Sequence, residues 1–163
     1  MEMLLKRSSF LIKMNWFITF IYLLFFVAPF SLLLHELGHV VGARIIHANN
    51  IIVHIGIGKK VAEVKVTRVT FIIRPLFFLH FKTETKRHEA LTKKEAIIVA
   101  LMGPLFNIRL SFVLVICYNL IITHPSIYLL LLFNIWLALV NLIPFKIGRK
   151  YSDGYVIIQE LVK

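Results

Sequence analysis

Apolar side chains dominate three long stretches of this chain and alternate with polar ones in a fourth. From Trp16 to about Ile46, Ala96 to about Thr123 and Ile127 to about Ile143 they cover every face of a helix. A helix of about 20 residues crosses a hydrocarbon core, and the third stretch is short but sufficient. Thr123-His124-Pro125-Ser126 reads as a turn, which makes the second and third spans antiparallel neighbours. Residues 49–92 have a different pattern. Ile51, Val53, Ile55 and Ile57 alternate with other residues, Gly58-Lys59-Lys60 is turn-forming, and Val64-Lys65-Val66-Thr67-Arg68-Val69 interleaves β-branched and basic residues. This predicts a β-hairpin or small sheet at the membrane surface. Pro75-Leu76-Phe77-Phe78-Leu79-His80-Phe81 is too short to span and predicts an interfacial or re-entrant piece. The expected fold is an all-α membrane protein of one domain, 1–163. It has a three-transmembrane-helix core, a small membrane-associated β-hairpin or sheet between the first and second spans, and a tail from 144 to 163.

Composition agrees. At 59% hydrophobic residues and mean hydropathy +0.83, the chain lies above the roughly 45–50% apolar content of soluble domains. Lys6, Arg7 and Lys13 precede the first apolar run in the manner of a signal peptide. That run exceeds a signal core of about 7–15 residues, contains Pro29 and is followed by no small-x-small site, so a retained spanning helix is expected. The single cysteine, Cys117, rules out an intrachain disulfide and a thiolate metal cluster, and reads as a small apolar packing residue.

The formal net charge is +11. Arg44, Lys59, Lys60, Lys65, Arg68, Arg74, Lys82, Lys86, Arg87, Lys93 and Lys94 lie in or near the first loop, Lys146, Arg149, Lys150 and Lys163 in the tail, and none in the second loop. This bias places the first loop and the tail in the cytoplasm, outnumbering Lys6, Arg7 and Lys13 on the other side. Attraction to anionic lipid accounts for the charge, and no nucleic-acid partner is needed.

Three ionisable residues break the first span. His35-Glu36-Leu37-Gly38-His39 has the spacing H-E-x-x-H, which on a helix puts both imidazoles on one face, one turn apart, where they can share a zinc ion. Glu36 then projects beside the ion, placed to take a proton from water and pass it to a leaving amine. Ionisable groups cost several kcal/mol at membrane depth, about 2.5–3.5 each on insertion scales, so such a cluster calls for a function. A catalytic zinc site has three protein ligands as a rule. The carboxylates that follow in the chain are Glu63, Glu84, Glu89, Glu95, Glu160 and the sole aspartate of the chain, Asp153. Those from Glu63 to Glu95 lie in the basic loop or at its edge and read as solvated partners of lysine. Asp153, in Tyr151-Ser152-Asp153-Gly154 before an apolar segment, is open to two readings: a third ligand, or a cap or turn residue.

The second span carries Gly103-Pro104-Leu105-Phe106-Asn107. Proline frees the carbonyl of Ala100 and glycine allows a neighbouring backbone close. Asn107 offers an amide for a substrate carbonyl or a developing oxyanion, or for a bond to a neighbouring helix. It lies about 15 Å inward from the start of its span and His39 about 10 Å inward from the end of its own, in one layer. The histidines His47, His54, His80, His88 and His124 fall in loops or at span ends and read as interfacial.

In this order, His35-Glu36-Leu37-Gly38-His39, then Gly103-Pro104-Leu105-Phe106-Asn107, then Asn141-Leu142-Ile143-Pro144 followed by Asp153-Gly154, the chain resembles the site-2 protease family (peptidase family M50) of intramembrane zinc metalloproteases. The resemblance implies one Zn2+ per chain held by His35, His39 and Asp153, with Glu36 as general base. Asn107, Asn141, Gly103 and Pro104 would position substrate or the site, Asn107 in a catalytic role. It also implies a transmembrane protein or peptide as substrate, cleaved within or near its membrane segment, and a membrane-associated β element after the first span. The expected location is a bacterial plasma membrane, with the site toward the cytoplasmic side and contact with membrane lipid and a possible regulatory membrane partner. The chain departs from the family in one place: Phe145 to Ser152 separate Asn-x-x-Pro from Asp-Gly by more than the usual distance. An edge strand of residues 51–70 would hold an unwound substrate segment by β-augmentation. The rival readings are a catalytically silent relative that acts by binding, such as a bacteriocin immunity factor, and a metal carrier. The intact Glu36 argues against the first, and the scarcity of polar residues along the bundle against the second.

Overall fold

The computed structural model describes residues 16–87, 89–121, 123–148 and 150–162. The basic residues Lys6, Arg7, Lys13, Arg149 and Lys163, and His88, therefore lie outside the described residues. Among the described residues, three helices are long and apolar enough to cross a membrane: α1 (Trp16–Ile45), α2 (Lys93–Leu120) and α3 (Pro125–Leu142). A shorter helix, α4 (Asp153–Val162), follows. With this composition the chain is an integral membrane protein.

Each long helix buries a narrow stripe and leaves the rest apolar and exposed. Val27, Ser31, His35, Gly38 and Gly42 are buried along α1 at the three- and four-residue steps of one helix face. On α2 the corresponding stripe is Ala100, Gly103, Pro104, Asn107, Ser111 and Leu114. Phe17, Phe20, Phe26 and Phe30 point outward, as lipid-facing residues do. Within α1 the backbone passes through a π-helical turn at Leu23–Val27, where Ala28 N–H donates to Leu23 O. Pro29 follows directly, and its lost N–H and ring bulk supply the cause. The start of α2 is fixed by a capping box: Thr92 accepts from Glu95 N–H, and the Glu95 carboxylate accepts from Thr92 N–H at 2.9 Å. Pro125 opens α3 at its first turn, where His124 caps Ser126 N–H.

Between α1 and α2 lies a four-stranded sheet of β1 (Asn50–Ile57), β2 (Ala62–Val66), β3 (Val69–Ile73) and β4 (Leu76–Lys86) in the order β2-β3-β1-β4. The sheet was legible from the alternation, but its pairing differs from the expected hairpin at Gly58-Lys59-Lys60. The tight turn falls instead after Val66, where Thr67 takes a φ of 55°, and β2 pairs antiparallel with β3. β3 then returns alongside β1 in parallel, from Ile51↔Val69 to Ile55↔Ile73. This makes β1 central and buries Ile51, Val53 and Val69 against Val40, Ala43 and Ala48. The expected interfacial piece from Pro75 to Phe81 is the first half of β4, a long strand antiparallel to β1. A bulge at Gly56, φ 86°, shifts that register where a side chain would strike the Arg74 carbonyl.

β4 is an edge strand that runs along α1. The ring of Phe78 lies 5.0 Å from that of Phe25, and the Thr83 hydroxyl donates to the Glu36 carbonyl at 3.3 Å. The rise from Phe25 to Glu36 is roughly 16 Å of helix. It matches roughly 17 Å of strand from Phe78 to Thr83. The edge of the sheet therefore lies within the length of the first span.

Candidate metal centre

The site is assembled by a close helix contact. A Cβ at Gly38 would collide with the Met102 carbonyl, and one at Gly42 would sit 2.9 Å from Val99 Cα, so these two glycines, four residues apart, let α2 lie directly on α1. Gly103 faces both imidazoles, and a Cβ there would lie 2.8 Å from His35 Nε2. Backbone groups of α2 thus come within reach of the histidines. His39 Nδ1 donates to Val99 O at 2.7 Å, and His35 Nδ1 donates to Asn107 Oδ1 at 2.7 Å.

The direction of these bonds follows from the groups around them. Asn107 is fully buried, and its amide donates to Ser31 O at 3.1 Å and to Asn134 Oδ1 at 2.7 Å, so its oxygen is the end that accepts from His35. Asn134, also fully buried, donates in turn to Ser31 Oγ and Leu130 O. Each histidine carries its hydrogen on Nδ1 and turns an Nε2 lone pair inward. The two Nε2 atoms are 3.1 Å apart.

Asp153 completes the group. Its Oδ2 is 3.1 Å from His35 Nε2 and its Oδ1 3.3 Å from His39 Nε2. Asp153 Oδ2 is buried with no hydrogen-bond partner. With both imidazoles neutral, three electron-pair donors converge with no proton among them, an arrangement that a cation satisfies and that is otherwise repulsive. The spacing fits a tetrahedral ion, whose N and O ligands at about 2.0–2.2 Å would stand about 3.3–3.5 Å apart. Among the described residues, His35, His39 and Asp153 form the group able to hold a metal ion.

Of the two readings of Asp153, the cap belongs to its neighbour. The buried Ser152 hydroxyl accepts from Tyr155 N–H at 3.1 Å, capping α4, and from Phe145 N–H at 3.0 Å, and donates to Ile143 O at 2.7 Å. Ser152 N–H also donates to Phe145 O. The extra residues after Pro144 form a minimal hairpin, β5 (Lys146–Ile147) against β6 (Lys150–Tyr151), whose two ends these bonds tie together. The added length is thus spent on a loop, and Asp153 starts α4 next to the histidines. A Cβ at Gly154 would collide with the Leu142 carbonyl, so the Asp-Gly pair is what allows α4 to begin against the end of α3.

Glu36 is buried beside the group, and among the described residues no hydrogen bond or ion pair engages its carboxylate. Pro104 is fully buried in the α1–α2 contact. Asn141 bonds back to Leu137 O on its own helix at 2.8 Å and does not join the group. Of the loop glutamates read as partners of lysine, Glu63 pairs with Lys60 and Glu84 with Lys82, whereas Glu95 pairs with Arg87. His54 and His80, read as interfacial, stand in β1 and β4. Sequence reasoning gave no role to Ser31, Asn134 or Ser152. The available signal for the first two was their place, a serine one turn before His35 and an asparagine inside an apolar run.

No curated protein matches the chain. Residues 19–126, about two-thirds of its length, match peptidase family M50. That segment holds His35, Glu36, His39 and Asn107, and ends before Asp153. Over a membrane-spanning core that carries the H-E-x-x-H helix against its second span, the match is decisive: the chain belongs to peptidase family M50, the site-2 protease family.

Proposed function

We propose that this protein is an intramembrane zinc metalloprotease that hydrolyses a peptide bond within or near the transmembrane segment of a membrane-bound protein or peptide. The observation that carries the reading is the convergence of His35 Nε2, His39 Nε2 and an Asp153 carboxylate oxygen at 3.1–3.3 Å. His35, His39 and Asp153 would hold the ion, which when bound supplies Lewis acidity toward a carbonyl and toward water. Glu36, one residue from His35 and unengaged, is the base that accepts a proton from water and returns it to the leaving amine. Asn107 acts from behind. Both its amide hydrogens are given to Ser31 and Asn134, so the role it fits is to fix the tautomer and direction of His35 rather than to bind an oxyanion.

A transmembrane helix must unwind before it is cut, and its freed backbone groups need partners. β4 supplies them: it is an edge strand, and Thr83 joins it to the helix at Glu36. A substrate segment added beside β4 would lie extended next to the site. The basic loop and tail support an orientation with the site toward the cytoplasm of a bacterial plasma membrane.

Glu36→Gln, co-expressed with single-span reporter proteins, tests the reading. Zinc content should stay at wild-type level while cleavage falls by about 10²–10⁴-fold. Full biological activity of the Glu36→Gln protein in its native host would favour a binding or immunity role instead.

A further inference from the structure

The face of the sheet turned away from α1 carries a second group of polar side chains. Ile51 and Val53 are buried toward the helix, so His54 projects to the opposite face, with Lys82 as its cross-strand partner. There a cleft of about 410 Å³ is lined by His54, Gly56, Arg74, His80, Lys82 and Glu84. Its donors are under-used. Both terminal nitrogens of Arg74 point at the one Nδ1 of His54, at 3.3 Å each, and among the described residues no carboxylate pairs with this guanidinium. Since His54 accepts at Nδ1, its hydrogen sits on Nε2, which is buried and without a hydrogen-bond partner. The nearest Glu84 oxygen is 3.6 Å from it, beyond hydrogen-bond reach, while the other Glu84 oxygen is held by Lys82 at 2.9 Å. Burial chiefly, with the ammonium groups of Lys150 and Lys82 opposing the Glu36 carboxylate, keeps the His80 imidazole below its usual pKa.

We infer that this cleft is a subsite for an acidic side chain of the substrate, an assignment that rests on the protease reading above. The ligand is a carboxylate on an extended peptide. A segment paired with the free edge of β4 places every second side chain on the face that carries His80 and Lys82. The strand rise from Thr83, beside Glu36, back to His80 is about 10 Å, so the acidic residue belongs about three positions from the residue opposite Thr83. A peptide is favoured over a lipid phosphate because β4 runs beside α1 between Phe25 and Glu36, within the length of the first span, where its free edge can pair with an extended segment.

Binding is measured without catalysis. Zinc-loaded full-length protein in detergent, with labelled histidines, is titrated with N-acetyl-glutamate methylamide, N-acetyl-glutamine methylamide or inorganic phosphate while the His54 and His80 ring signals are followed by NMR. The glutamate probe should shift both rings saturably, the glutamine probe should bind at least about tenfold more weakly, and Arg74→Gln should abolish the response. Arg74→Lys, which keeps the charge, should retain it. Equal binding of the two amides, a response to phosphate alone, or glutamate binding that survives in Arg74→Gln overturns the assignment. Absence of reporter cleavage by the wild-type protein, with intact glutamate binding, would instead sink the protease reading, so the two failures are distinct.

Discussion

His35 Nε2 and Asp153 Oδ2 face each other at 3.1 Å, and with the imidazole neutral the bonds around them leave neither with a hydrogen to share. In a low-dielectric interior that contact is unfavourable until a cation enters it. The chain should therefore bind about one zinc per molecule. Asp153→Asn should weaken binding by at least about tenfold, whereas Glu63→Gln, at an exposed pair with Lys60, should leave it unchanged. Metal analysis of detergent-purified protein decides this. Equal zinc retention in the two variants, or in a His35→Ala, His39→Ala double variant, would show that the group is not the metal site.

Removing the ion should loosen the bundle, because the group joins α1 to α4. At a free zinc concentration 100 times the dissociation constant, binding adds about 2.7 kcal/mol to the folded state. Chelator should accordingly lower the thermal midpoint of the wild-type protein and have little effect on the double histidine variant. A midpoint insensitive to chelator in both would contradict the coupling.

Asn107→Leu keeps the branched shape, with a larger volume, but deletes the acceptor that orients His35. Zinc affinity should fall by about 10–100-fold, the usual effect of losing such a support. The unpaired Asn134 oxygen should cost a further ~1–3 kcal/mol of stability. Asn107→Asp, which retains an acceptor toward His35 Nδ1, should recover more zinc affinity than Asn107→Leu, measured by competition with a colorimetric chelator.

Two substitutions at the start of α4 separate capping from coordination. Ser152→Ala removes a hydroxyl that makes three hydrogen bonds, and should cost at least the ~0.5–2 kcal/mol of a lost cap. Ser152→Thr should restore most of it. Gly154→Ala forces a methyl group into the Leu142 carbonyl and should reduce zinc affinity. Gly148→Ala, in open space but at φ 59°, should cost about 1 kcal/mol locally and leave the metal untouched. Melting curves and zinc titrations read both effects.

What was legible in the sequence follows physical range. The three spans and the H-E-x-x-H face are set by local composition and helical period, so they could be read residue by residue. Strand pairing was not so fixed: Val64 to Val69 alternates as one strand would, and only the burial of β1 from both sides selects a turn at Thr67 and a parallel β1–β3 ladder. Which partner Asn107 takes was not legible, because an asparagine in a membrane helix signals a hydrogen bond but not its partner, and that partner, His35, is 72 residues away. Asp153 was ambiguous for a similar reason. A cap and a ligand look alike until Ser152 is seen to occupy the capping position.

The minimal hairpin from Lys146 to Tyr151 separates two lengths that are usually tied together. Its ends are clamped by Phe145 and Ser152, so the distance along the chain from α3 to Asp153 no longer sets their distance in space. Natural sequences can then lengthen or trim this segment without retuning the metal ligand. An epitope or fluorophore spliced at Gly148, where nothing lies within 4 Å, would travel with the enzyme as a label that leaves its chemistry undisturbed.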